Sequence, residues 1–167
     1  DATTGQGSLT QEWITDRAEM LSWVMKTRSV EGGDFLPVAA DSGLSLYFSD
    51  SASNMNLSVA NTFNDPNARR FLFGDDNGNT LAGGAREDHL YGMSGNDILT
   101  GYAGTDYLEG GSGNDKLYGG EDNDTLIGGE NDDDFYGGEG HDLLNGGQGN
   151  DSYHYESNGG TDIINDS

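Results

Sequence analysis

Apolar and polar positions alternate in three different rhythms along the 167 residues. In the first stretch, apolar side chains fall at Ile14, Ala18, Leu21 and Met25, with Trp13 and Val24 beside them. That spacing keeps one face of a helix apolar and predicts a helix over about 8–29. Ser8-Leu9-Thr10-Gln11 reads as a capping box at its start. Lys26 and Arg28 suit its end, and Gly32-Gly33 stops it. From 44 to 60 the rhythm shortens. Leu44 to Phe48 and Met55 to Val59 flank a polar turn, which predicts a β-hairpin. Arg70-Phe71-Leu72-Phe73 forms a third short strand. Beyond Gly74 the chain is mostly polar, and one large apolar residue recurs at every ninth position.

That last rhythm is an internal repeat, the strongest organising signal a sequence can carry. From Gly74 the chain reads GDDNGNTLA, GGAREDHLY, GMSGNDILT, GYAGTDYLE, GGSGNDKLY, GGEDNDTLI, GGENDDDFY, GGEGHDLLN and GGQGNDSYH, nine units with no insertion. Position one is always glycine. Position six is Asn79 in the first unit and aspartate in the rest: Asp88, Asp97, Asp106, Asp115, Asp124, Asp133, Asp142 and Asp151. Position eight is Leu81, Leu90, Leu99, Leu108, Leu117, Leu126, Phe135, Leu144 or Tyr153. The phase predicts a turn over the first six positions and a short strand over the last three. Glycine at positions one, two and four supplies backbone conformations that a β-carbon hinders. Asn77, Asp122 and Asn131 at position four tolerate the left-handed region. Arg86 at position four, and Met93 and Tyr102 at position two, are misfits.

Composition sharpens this division. The chain carries 30 acidic and 7 basic residues, a formal net charge of -23, with 28 glycines and 32% apolar residues. Residues 74–154 hold 18 of the acidic residues, 2 of the basic ones and 21 of the glycines. Such charge excludes a nucleic-acid partner, which needs lysine and arginine against phosphate. No apolar run is long enough to span a membrane. Without cysteine there are no disulfides and no thiolate metal sites. A basic-then-apolar leader is also lacking, and the chain reads as a piece of a longer protein. Composition alone would suit an acidic disordered segment. Phased aspartates argue instead for carboxylate oxygens gathered to meet a hard cation, and calcium takes six to eight oxygens in flexible geometry. One nine-residue unit cannot supply that many; two stacked turns can.

The pattern G-G-x-G-x-D-x-U-x resembles the calcium-binding nonapeptide of the RTX (repeats-in-toxin) family. The resemblance covers about half the chain. It implies a mostly β fold, a right-handed parallel β-roll with two units per coil, here with an N-terminal cap of one helix and a β-hairpin. Turns two units apart then share an edge, one strand spacing apart, with calcium between them. One edge would carry Asn79, Asp97, Asp115, Asp133 and Asp151, and the other Asp88, Asp106, Asp124 and Asp142. That makes seven gaps and about five to eight ions. Further metal-site positions under this reading are Gly84, Gly95, Gly104, Gly111, Gly113, Gly120, Asp122, Gly129, Asn131, Gly138, Gly140, Gly147 and Gly149. The organisation expected is 1–73 as a cap or flank, 74–154 as the roll and 155–167 as the start of a closing segment.

The function implied is calcium-driven folding outside a bacterial cell, after export by type I secretion machinery, by a monomeric module. No catalytic residue is expected in it. No G-x-S-x-G or H-E-x-x-H motif occurs. The competing readings place the chain at the C-terminal part of a secreted lipase or protease whose catalytic domain lies upstream, or in a spacer of a cell-surface adhesin. Residues 16–21 are weakly similar to the segment before the repeats of some RTX lipases. His89, His141 and His154 are scattered through the repeat phase and are expected at the surface. Tyr91, Tyr118 and Tyr136 share position nine and are expected to stack between coils. Asp65-Pro66 is expected to be a simple turn.

Overall fold

The computed structural model describes residues 14–18, 46–51, 55–59, 68–157 and 159–166. Residues 14–18 are helical; the remainder of the expected 8–29 helix, with Trp13 and Trp23, lies outside the described residues, as does Asp65-Pro66. The repeats build two facing parallel sheets. One contains β3 (Arg69–Phe73), β5 (His89–Ser94), β7 (Tyr107–Ser112), β9 (Thr125–Glu130), β11 (Leu143–Gln148) and β13 (Ile163–Asn165). The other contains β4 (Thr80–Gly84), β6 (Ile98–Ala103), β8 (Lys116–Glu121), β10 (Asp134–Glu139) and β12 (Ser152–His154). Successive strands alternate between the sheets. The chain therefore coils for about five turns as a parallel β-roll.

Period nine explains the coil. Two units make one circuit, so each strand pairs with the strand 18 residues later: Leu90 with Leu108, Leu108 with Leu126, Leu99 with Leu117. Position-eight residues thus stack into one narrow core. Leu72, Leu90, Leu108, Leu126 and Leu144 come from the first sheet, and Leu81, Leu99, Leu117 and Phe135 from the second, with Tyr153 packed at the end. Leu90, Leu99, Leu108, Leu117, Leu126 and Phe135 are completely buried. The core is one side chain wide per strand, which is all that 32% apolar content can fill.

The division within each unit differs from the sequence expectation. Strands β5 to β11 run for six residues, from position seven through position three of the next unit, and only positions four to six turn. Pairing skips position one, so each ladder is interrupted there and resumes at position two. Position one also owes its glycine to space rather than to backbone angle. A methyl group at Gly101 would collide with the Asp106 carboxylate and the Gly119 carbonyl.

The expected hairpin is present: β1 (Leu46–Asp50) pairs antiparallel with β2 (Met55–Val59). Strand β1 also pairs in parallel with β3, Leu46 opposite Arg69, and so extends the first sheet. At the other end the tail departs from the phase but not from the fold. Ile163 pairs with Leu143 and Ile164 with Leu144, twenty residues on instead of eighteen. Two extra residues in the connection are absorbed before Gly160, which bridges to Gly140.

Two substitutions test this packing. Leu108→Ala empties the middle of the core and should lower the unfolding free energy by about 2–5 kcal/mol in urea titration. Tyr102 sits at φ 82° and is 56% exposed. Tyr102→Gly removes that backbone cost and loses little packing, so it should stabilise by about 0.5–1 kcal/mol.

Candidate metal centre

The three-residue turns bring position six to the two edges of the roll. Asp97, Asp106, Asp115, Asp124, Asp133 and Asp142 are at most 2% exposed, and Asp88 is fully buried. One carboxylate oxygen of each is held in a repeating rung. Asp97 N–H donates to Asp115 Oδ1 at 2.8 Å, Asp106 N–H to Asp124 Oδ1 at 2.8 Å, Asp115 N–H to Asp133 Oδ1 at 2.8 Å and Asp124 N–H to Asp142 Oδ1 at 2.9 Å. Asn79 N–H donates to Asp97, Asp88 N–H to Asp106 and Asp133 N–H to Asp151 in the same way. The predicted ladders therefore stand as two continuous edges.

The second oxygen has no such donor. Oδ2 of Asp97, Asp106, Asp115, Asp124, Asp133, Asp142 and Asp151 is buried without a hydrogen-bond partner among the described residues. Buried polar atoms are almost always paired, and an unpaired anionic oxygen is costly. Backbone carbonyls crowd the same edges. The carbonyls of Met93, Gly111 and Gly120 at position two face position two of the turn above, at Gly111, Gly129 and Gly138. Those of Gly95, Asp122 and Asn131 at position four face Gly113, Gly140 and Gly149. A β-carbon at any of these upper glycines would fill the space between turns. Among the described residues no three acidic or histidine side chains converge on one point. Each gap instead offers a carboxylate and a set of carbonyls, an all-oxygen donor set that suits calcium and disfavours zinc or copper.

Backbone angles follow the same plan. Gly95, Gly104, Gly111, Gly113, Gly120, Gly129, Gly138, Gly140, Gly147 and Gly149 all have positive φ, as do Asp122 and Asn131. Met93 and Tyr102 adopt it despite their side chains, at φ 84° and 82°. Gly84 does not, and neither does the misfit Arg86. The first turns differ in their bonding too. Gly84 N–H donates to Asp88 Oδ2 at 2.5 Å, so Asp88 has no orphaned oxygen. Asn79 is tied to Asp75, accepting its N–H at 2.7 Å and donating to its carboxylate at 3.2 Å.

Sequence reasoning missed four features. Asp162 extends one edge, since its Oδ1 accepts Asp142 N–H at 3.2 Å; the two-residue offset hid it. Position five makes a second ladder, in which Asn114, His141 and Asn150 N–H groups donate to Asn96 Oδ1, Asn123 Oδ1 and Asp132 Oδ1. Four asparagines at that position were the available signal. Arg70 occupies the place of a position-six aspartate: its N–H donates to Asp88 Oδ1 at 2.5 Å, and its guanidinium donates to Gly83 O and to Ala82 O. Finally, His89 is not at the surface. It lies half-buried, 2.5 Å from Asp16 Oδ2, which also accepts Tyr91 O–H at 2.6 Å. This contact seats the 14–18 helix on the roll and buries Asp16. His141 and His154 are exposed, as expected. The tyrosines stack: Tyr118 on Tyr136 at 4.6 Å, Tyr136 on His154 at 4.2 Å and Tyr91 on Phe73 at 5.0 Å.

Burial raises the ladder carboxyls from the ordinary 3.8: Asp88 and Asp97 to about 6, Asp115 and Asp124 to about 7, Asp106 and Asp133 to about 8. At Asp88 the Arg70 and Gly84 N–H groups and the Arg70 charge pull the other way. Neighbouring aspartates add to the rise at Asp106, Asp115, Asp124 and Asp133. A raised carboxyl pKa means that the metal-free roll binds protons the unfolded chain has released. Its stabilising effect is complete below about pH 4 and is lost as pH rises through about 6 to 8. In chelator, circular dichroism should therefore show more β signal near pH 4.5 than near pH 8. Protons on these oxygens stabilise the roll in their own right, so the calcium needed for folding should fall as pH falls from about 8 toward 4.5. A chelated chain that loses β signal on acidification would contradict both statements.

No curated protein and no solved structure matches this chain. A family model does, the RTX calcium-binding nonapeptide repeat, in four overlapping copies over residues 73–108, 100–135, 118–153 and 127–164. RTX repeats occur in secreted bacterial proteins. Among the described residues no helix is long and apolar enough to cross a membrane. Phase, roll and all-oxygen edges agree with that match over more than half of the sequence, and the chain belongs to the RTX calcium-binding nonapeptide repeat family.

Proposed function

We propose that this chain is a calcium-driven folding module of a larger secreted bacterial protein. It passes through a type I secretion channel unfolded and coils when it meets calcium outside. The observation that carries the reading is the set of buried carboxylate oxygens without donors along both edges. Calcium would bind between successive turns of one edge, held by position-six carboxylates and by the carbonyls of positions two and four. Asp88, Asp106, Asp124, Asp142 and Asp162 give one edge four gaps, and Asn79, Asp97, Asp115, Asp133 and Asp151 give the other four. The Asn79 gap is the weakest, because its side chain brings no charge and is engaged with Asp75.

Magnitudes support a switch. At about 1 mM calcium and a dissociation constant of roughly 0.1–1 mM, one site contributes about 0.4–1.4 kcal/mol. Eight such sites contribute on the order of 3–11 kcal/mol, as much as a whole domain's stability. At sub-micromolar cytosolic calcium the contribution vanishes, and the repeats' own charge opposes compaction. Residues 1–73 serve as the cap, 74–154 as the roll and 155–167 as the beginning of its closure. The β1–β2 hairpin, which extends the first sheet past β3, supports the first of these assignments. Any catalytic activity belongs to another part of the parent protein.

Calcium titration followed by circular dichroism tests the proposal. The β signal should rise steeply at a well-defined midpoint, chelation should reverse it, and magnesium should not substitute. Asp115→Asn should raise the midpoint and cost about one bound ion per chain by equilibrium dialysis. A roll fully formed in chelator at neutral pH would overturn the switch.

A further inference from the structure

The first turn of one edge carries a cation of its own. Strand β3 pairs with β5 in the repeat register, Leu72 opposite Leu90 and Phe73 opposite Tyr91, so residues 68–73 stand one coil below 86–91. Arg70 then stands below Asp88, where every later turn of that edge has aspartate. Its backbone makes the same rung, N–H to Asp88 Oδ1. Its side chain does the reverse of an aspartate's.

Three observations concern this lowest gap. In later turns the position-one carbonyl lies against the position-one glycine of the turn below: Gly101 O against Gly83, Gly119 O against Gly101, Gly137 O against Gly119. Gly83 O begins that series and accepts a hydrogen bond from the Arg70 guanidinium, which also reaches Ala82 O at 3.3 Å. Asp88 alone among the eight repeat aspartates at position six has no orphaned Oδ2. The guanidinium charge also reaches the Asp88 carboxylate and favours its ionised form. A planar, permanently charged donor group of this kind suits carbonyl and carboxylate oxygens, and it needs no metal.

We propose that Arg70 is a built-in cation that takes the place of calcium in the first gap of this edge, so that the calcium ladder begins above it and the coil between β3 and β5 closes without metal. This rests on the calcium reading of the later gaps. It assigns to one residue both the end of the metal ladder and a fixed seed on which the metal-dependent coils are laid.

Two variants of the full chain test it, read by equilibrium dialysis and by calcium titration with circular dichroism. Arg70→Asp restores the repeat residue and should bind one more calcium ion per chain than the parent sequence, with the first coil now dependent on metal. Arg70→Met leaves neither cation nor carboxylate. It should bind the parental number of ions but need about 1.5- to 2-fold more calcium at the midpoint, the loss of one charged hydrogen-bonded group spread over about eight ions. Where Arg70→Asp fails to fold, Arg70→Met alone decides. Parental stoichiometry in Arg70→Asp, or a parental midpoint in Arg70→Met, overturns the role of Arg70 while the unchanged chain still binds calcium. A parental chain that binds no calcium overturns the earlier reading instead.

Discussion

Carboxylates stacked at one per turn along each edge set the terms for everything else in this molecule. Repetition every 18 residues places each aspartate above another, in a setting almost closed to water. The backbone rungs settle half of each group, because one N–H reaches one oxygen from the turn below. From Asp97 onward the other oxygen has no donor among the described residues. Like charges at such spacing repel, and burial raises the pKa of each. A core one side chain wide offers little against this. Cations in the gaps or protons on the carboxyls would relieve that repulsion, and the residues that shape the two edges are the same ones that carry it.

Glycine is the complement of that arrangement. Its role divides by position along the turn. At position one the missing β-carbon leaves room for the carboxylate of the same unit and the carbonyl of the turn above. At positions two and four the chain takes positive φ, and the carbonyl of one turn lies directly against the glycine of the turn above. Met93 and Tyr102 accept the angle with a side chain attached, but both belong to the lowest repeat turn with that geometry on their edge. Turns at Asn77 and Arg86, below them, keep ordinary angles and satisfy their position-six side chains locally. Positive φ at positions two and four is thus a property of the later turns.

Nearly all of the roll was legible in the sequence because the information in it is periodic. A fixed phase of nine says which residues face inward, which two edges form and which turns share an edge, with no knowledge of contacts. What escaped was whatever broke the phase or reached across it. Asp162 lies beyond a two-residue insertion, so counting by nine passes it by. Arg70 lies before the first glycine, in a unit whose position-six residue has the opposite charge. The sequence reading gives three-residue strands because the glycines at positions one and two look like turn residues, although pairing resumes at position two and continues through position three. His89 was placed at the surface from its repeat position. Its partner, Asp16, stands 73 residues away on the helix, and no periodicity joins the two.

The two ends of the roll are held by different forces, and this gives the stack a direction. At the lower end Phe73 stacks on Tyr91, Asp16 joins His89 to Tyr91, Arg69 pairs with Glu87 at 2.6 Å, and Arg70 binds the Gly83 carbonyl. All of these operate without metal. At the upper end, β13 leaves Ile163 66% exposed, and Tyr155, just after β12, is 65% exposed. In a stack where each coil touches only its neighbours, stability is a sum of nearest-neighbour terms. Coils bound by aromatic and ionic contacts persist when the ion-dependent ones do not. Each later coil then adds to an edge already formed, and its strand pays the ordering entropy against a template rather than in isolation.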